Sequence, residues 1–247
     1  MALPTFQGAT GGSISSSALT AQPWVAGHAV DDIGLCIMGS TDGTSGGHTT
    51  PSGFTVATGS PSAWSTGVST TAALMEVWYK RATSTAEASV MGGTDIGTQY
   101  GKHLLIRGCK TSGTPVNAAA NGINGTAATS LSIVTGLTTT VNDSLIVLVL
   151  NCDADTGIPD TTFITANTNS NLTNIVKQNS NQWNTGSGLG LHIFTGELVT
   201  AGAVGTWSIT CGSASTIAWW CGAMESSNPS GGGAILGGRN SLLGVGR

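Results

Sequence analysis

Apolar residues along this chain recur with a period of two, and Gly, Asn, Asp, Ser and Pro interrupt them at short intervals. The pattern predicts strands over 22–27, 33–39, 53–57, 72–82, 102–110, 131–136, 144–151, 161–166, 172–177, 189–199, 204–212 and 215–225. The run from Leu145 to Leu150 is apolar without alternation, as in a strand covered on both faces. Residues 74–81 mix Trp78 and Tyr79 with Glu76, Lys80 and Arg81, which predicts one exposed face. In 206–211 the residues Trp207, Ile209 and Cys211 alternate with Thr206, Ser208 and Thr210. No amphipathic helix and no repeat of about 20–50 residues is visible. The expected fold is therefore all-β: an antiparallel β-sandwich, jelly-roll-like, formed by one domain over 21–225. Residues 1–20 read as an N-terminal arm, and 40–52 and 167–188 as polar surface segments.

Composition narrows the partners. Of 247 residues only 8% are charged, 37 are Gly, and the net charge is −4. Gly, Ser and Thr together make up about two-fifths of the chain, which excludes coiled coils and helical bundles. Eight scattered Lys and Arg cannot neutralise a row of phosphates, so no nucleic-acid partner is expected. No apolar run approaches the roughly 18 residues of a membrane span, and the first residues lack a basic and apolar leader pattern. No membrane partner is expected either.

The polar residues offer few catalytic or metal-binding patterns. Gly43-Thr-Ser-Gly-Gly47 fits G-x-S-x-G beside His48, but no helix follows and the chain is rich in Gly and Ser throughout. Lys102 follows Gly101 as in a phosphate-binding loop, yet Ile96 stands where Gly is needed and His103 where Ser or Thr is needed. His28, His48, His103 and His192 are isolated from one another, and Asp153 and Asp155 lack EF-hand spacing. No catalytic residue, cofactor or metal site is expected. Five cysteines leave at least one unpaired. They read either as buried thiols or as a disulfide set, with Cys109 placed for an interchain bond and Cys211 and Cys221 for pairing within the chain.

Two segments are set apart by composition. Trp183, within Asn179-Ser-Asn-Gln-Trp-Asn-Thr185, offers an aromatic platform among amides that suits a sugar ring. Residues 226–247 are Gly-rich yet carry Ile235, Leu236, Leu242, Leu243 and Val245, as in an extended arm that docks on a neighbouring subunit.

Several spaced residues resemble a group of β-sandwich virion structural proteins of tailed bacteriophages. They are Trp24, Gly27-His28, Asp31-Asp32-Ile33-Gly34-Leu35, Pro51-Ser52-Gly53-Phe54, Val77-Trp78-Tyr79-Lys80-Arg81-Ala82 and Ile106-Arg107-Gly108. The family pattern prefers Gly-Asp before the strand and Gly-Trp after the Pro, where this chain has Asp31-Asp32 and Gly53-Phe54. The likeness covers residues 20–110 and is only compositional beyond them. It implies a decoration, neck or tail-associated protein of the virion, assembled in the host cytoplasm. Read directly, His28 and Asp32 are expected to bond across the turn, and Trp24 and Trp78 to close one end of the sandwich.

Low charge, many strands and the apolar arm agree with a non-enzymatic phage structural protein. Its expected partners are copies of itself, as in a trimer, and other virion proteins. The alternative is a receptor- or carbohydrate-binding tail module that uses Trp183 on a host-surface glycan. A depolymerase is a third class, which would need acids such as Asp153 and Asp155 paired in a groove.

Overall fold

The computed structural model describes residues 3–15, 21–40, 48–60, 74–89, 99–153, 163–182 and 189–227. Its elements are eleven strands: β1 (Thr5–Ser15), β2 (Ile33–Ser40), β3 (Thr55–Val56), β4 (Leu74–Arg81), β5 (Gln99–Arg107), β6 (Val116–Val134), β7 (Ser144–Asp153), β8 (Ile164–Thr168), β9 (Thr173–Gln182), β10 (Leu189–Leu198) and β11 (Thr206–Met224). Every pairing between them is antiparallel. Sheet I has the order β1-β5-β2-β4-β3, and sheet II the order β6-β11-β7-β10-β9, with β8 also beside β11. Each sheet thus takes its strands from one half of the chain. Among the described residues the pairing supports the antiparallel two-sheet arrangement and shows no exchange of strands between sheets of the jelly-roll kind.

The two sheets pack through one apolar layer. Sheet I contributes Ile33, Leu35, Ile37, Val77, Leu104 and Ile106, and sheet II contributes Val147, Val149, Ile193 and Trp220. Period-two geometry then aims Ile146, Leu148, Leu150 and Cys152 of β7 at the opposite face of sheet II. That face is covered too, by Trp207, Ile209 and Cys211 of β11 and Leu131 and Ile133 of β6.

Sheet II covers itself by bending. β6 and β11 have nineteen residues each, so straight strands would be about 60 Å long. Between Thr210 and Ser215 the register slips, because β11 advances five residues while β6 goes from Ser130 to Ala128. Such a bulge bends and twists the ribbon. The first half of β11 consequently lies over the second: the Trp207 ring packs 6.3 Å from Phe194 and against Cys221, fourteen residues further along the same strand. The strands expected at 204–212 and 215–225 are the two arms of this one bent strand.

Two expectations change. Residues 22–27 form a turn, apart from a bridge at Gln22. Residues 5–15, read as part of an arm, are the edge strand β1, paired with β5 from Thr5 opposite Arg107 to Ser15 opposite Gln99. Much of β6 was also not anticipated. Gly, Ala, Asn and Thr dominate both segments, so neither has apolar alternation, and pairing to a strong neighbour imposes the extended state.

Trp207 is fully buried and joins the two halves of sheet II. Trp207→Ala should lower unfolding stability by about 3–5 kcal/mol. Urea denaturation checks this, and a loss below about 1 kcal/mol would contradict the folded-over packing.

Candidate functional site

The densest group of polar and aromatic side chains lies on the outer face of sheet I. Strand alternation directs Gly34, Cys36 and Met38 of β2, Glu76, Trp78 and Lys80 of β4, and His103, Leu105 and Arg107 of β5 away from the inter-sheet core. The turn at 24–32 and the loop at 48–57 cover this face with Trp24, Val25 and Phe54.

Trp24 is central. Its ring centroid lies 4.6 Å from His103, 5.1 Å from His28 and 6.3 Å from Phe54, and Lys80 Nζ is 6.0 Å away. The packing depends on Gly34, where a Cβ would lie 2.8 Å from Trp24 and closer still to His103. Trp24 and Trp78 therefore lie under the cover of a sheet face, and not at an end of the sandwich.

Asp32 is buried, and its carboxylate organises the turn into β2. It accepts the Ala29 N–H at 2.8 Å and two bonds from Arg107, from Nε at 2.9 Å and from Nη2 at 2.7 Å. Arg107 also donates to the Gly27 carbonyl, and hydrogen bonding to Asp32 raises the pKa of its guanidinium. His28 does not bond Asp32. Its Nδ1 lies 3.1 Å from the Val25 carbonyl, and its Nε2 accepts the Glu87 N–H at 3.2 Å. Burial alone would raise the Glu87 carboxyl, but hydrogen bonds from Lys80 and Thr83 outweigh it and hold the group at about 2. Lys80 Nζ is 2.5 Å from Glu87.

At the far end of this face His48 Nδ1 lies 2.7 Å from Glu76, and Trp78 Nε1 donates to Thr50. His48 with Glu76 has the form of a base held by an orienting carboxylate, but the residues of Gly43–Gly47 lie outside the described residues. Lys102 is buried and donates to the Gly11 carbonyl, so it anchors β1. Asp153 ends β7 opposite Leu189 and Thr216; Asp155 lies outside the described residues. Among the described residues no three His, Cys, Asp or Glu side chains converge as metal ligands, and no helix is long and apolar enough to cross a membrane.

All five cysteines are buried and free. Cys109 joins the core with Leu104 and Ile106, although its spacing from them predicts the opposite face. The reason is Gly108, whose φ of 80° breaks the alternation after β5. Burial pushes the thiols of Cys109 and Cys221 up to about 12 and that of Cys211 to about 11, so little reactive thiolate forms at neutral pH. Trp183 and the arm residues Ile235, Leu236, Leu242, Leu243 and Val245 lie outside the described residues.

Beside Asp32 and Arg107 lies an open hollow of about 220 Å³, walled by 29–32, 107–109, Thr111 and Ser227. The sequence did not reveal it, because its walls come from three distant segments. Of the residues quoted for the virion-protein resemblance, Trp24, His28, Phe54, Trp78 and Lys80 pack together on the outer face of sheet I, while Asp32 and Arg107 pair beside the hollow. Their ionic groups hold turns to strands. No family model, curated protein or solved structure matches the chain.

Two predictions follow from the buried rings. Gly34→Ala forces a methyl group against Trp24 and His103, and thermal or urea unfolding should register a loss of about 1–3 kcal/mol. Burial lowers His103 to about 4; burial with Lys177 lowers His192, stacked 5.2 Å from Phe163, to about 3. Both rings stay neutral in the fold and protonate more readily when unfolded. Their contribution is thus complete above the ordinary value of 6.5 and declines as pH falls toward about 4 and about 3. Urea midpoints should drop between about pH 7 and about pH 4, and His192→Leu should flatten the drop.

Proposed function

We propose that this chain is a non-enzymatic structural protein of a bacteriophage particle, a decoration, neck or tail-associated component that contacts copies of itself. The observation that carries this reading is the edge of sheet II. β6 has no charged residue and no proline over nineteen positions, and no strand pairs with its outer edge among the described residues. Stable proteins ordinarily blunt such an edge with charge, proline or bulges. β6 has register breaks at 116–118 and 124–128, but an edge without charge or proline over its whole length suits a chain whose neighbours cover it.

The outer face of sheet I supports the same reading. Lys80, Arg107 and Lys110 are paired with Glu87, Asp32 and Glu225, so this machinery is structural and leaves the surface sparsely charged. Uncharged faces associate without the desolvation cost of buried ions, which amounts to several kcal/mol each. In this reading residues 226–247 form an arm that engages a neighbouring subunit, and the oligomer is a trimer within the virion.

Light scattering on the full chain and on a chain lacking 226–247 tests the arm. The full chain should scatter as an oligomer and the shortened one as a monomer of unchanged fold. Monomers in both cases would overturn the assembly reading. Mass spectrometry of purified virions should find the chain in multiple copies, and its absence would overturn the setting.

A further inference from the structure

We propose that the hollow walled by Val30, Asp31, Arg107 and Ser227 receives the Ile235–Leu236 segment of a second copy's C-terminal arm. This rests on the assembly reading above and names the surface the arm would use.

The hollow lies where the arm begins. After β11 the backbone is fastened to the turn that follows β5: the Lys110 N–H donates to the Glu225 carbonyl at 2.8 Å, the Ser227 N–H donates to the Gly108 carbonyl at 2.9 Å, and Cys109 bridges Ser226. Lys110 Nζ and the Glu225 carboxylate add an ion pair at 3.2 Å. Ser227 is thereby a fixed wall of the hollow. Twenty residues follow it to Arg247.

The chemistry of the hollow fits the arm. Val30 lies in its wall and is 54% exposed, an unusual position for a branched apolar side chain in a turn. The adjoining ions balance: Arg107 is joined to Asp32, and Arg81 donates to the carbonyls of Asp31 and Gly113. Asp31 is exposed, and its carboxylate has no hydrogen bond or ion pair among the described residues. The arm carries the complement, with apolar Ile235 and Leu236, then Arg239, and no acid anywhere from 226 to 247.

Geometry favours the arm of another copy. Pro229 biases the residue before it toward extended backbone, which favours reach to a neighbour over a tight return to the hollow beside Ser227. Ile235 is eight residues beyond Ser227, a reach of up to about 28 Å. Passed from each copy to the next around a ring, the arms would fill every hollow, as the head-to-tail contact of a trimer requires.

The test uses the full-length chain. Val30→Arg puts a charge in the apolar wall, and Asp31→Asn removes the carboxylate while keeping a residue that tolerates its φ of 72°. Both positions are exposed, so thermal midpoints should hold. The concentration at half-dissociation should rise about tenfold for Val30→Arg and about threefold for Asp31→Asn. Val30→Cys chains mixed with Leu236→Cys chains and treated with a short bismaleimide should give a two-chain product. Half-dissociation unchanged within about twofold in both variants would overturn the docking surface. If removal of 226–247 still dissociated the oligomer, the arm reading would survive that result; if it did not, both would fall. Cross-linking confined to single chains carrying both cysteines would overturn the exchange.

Discussion

A strand that is apolar on both faces must find two covers, and β7 is such a strand. Val147 and Val149 face sheet I, while Ile146, Leu148 and Leu150 face the other way, and all five are fully buried. Exposing the second row would cost about 1.5–3 kcal/mol for each side chain. The chain meets this demand with material from the same sheet. The β6–β11 ribbon is twice as long as the core sheet needs, and its bulge near 211–215 returns Trp207, Ile209 and Cys211 to the uncovered face. β8 joins this layer by pairing with the returned half of β11. Bend, bulge and strand length all follow from the two-sided burial of one segment.

How far the sequence conveys this depends on the residue types involved. Leu145–Leu150 announces its two-sided burial, and the clean alternation at 206–211 correctly puts Trp207, Ile209 and Cys211 on one side. β1 and most of β6 gave no such signal, since their Gly, Ala, Asn and Thr acquire strand geometry only from pairing with β5 and β11. Cys109 shows how a single backbone angle defeats a periodic argument: parity counted from Leu104 fails once Gly108 adopts positive φ. The cluster on sheet I was half legible. Its members stood out in the sequence, but the pairing of His28 with Glu87, and of Asp32 with Arg107 seventy-five positions away, depends on register between strands.

Glycine and tryptophan act as matched parts in this fold. A Cβ at Gly34 would strike Trp24 and His103, one at Gly122 would lie 2.6 Å from Trp219, and one at Gly222 would strike Trp220. Each indole occupies space that a side chain on the glycine would take. This lets a protein with few large residues fill its layers, because one indole covers the area of several smaller groups. The abundance of glycine is thus partly a packing requirement, and flexibility alone does not account for it.

The edges of the two sheets are not treated alike. β3 is only two residues long, β1 carries two register breaks, and β9 combines register breaks with Lys177. Each of these devices discourages a further strand from adding. β6 has register breaks of its own at 116–118 and 124–128, but no charge and no proline, and its exposed stretch near 123–130 contains only Gly, Ile, Asn, Thr, Ala and Ser. Side-chain bonds from Asn117 to Thr140 and from Asn121 to Gly59 fasten loops over the start of this edge and stop short of that stretch. An edge kept free of charge and proline over nineteen residues suits a neighbour that covers it. In the proposed assembly, therefore, the contact that holds subunits together also protects an edge at which uncontrolled strand pairing could begin.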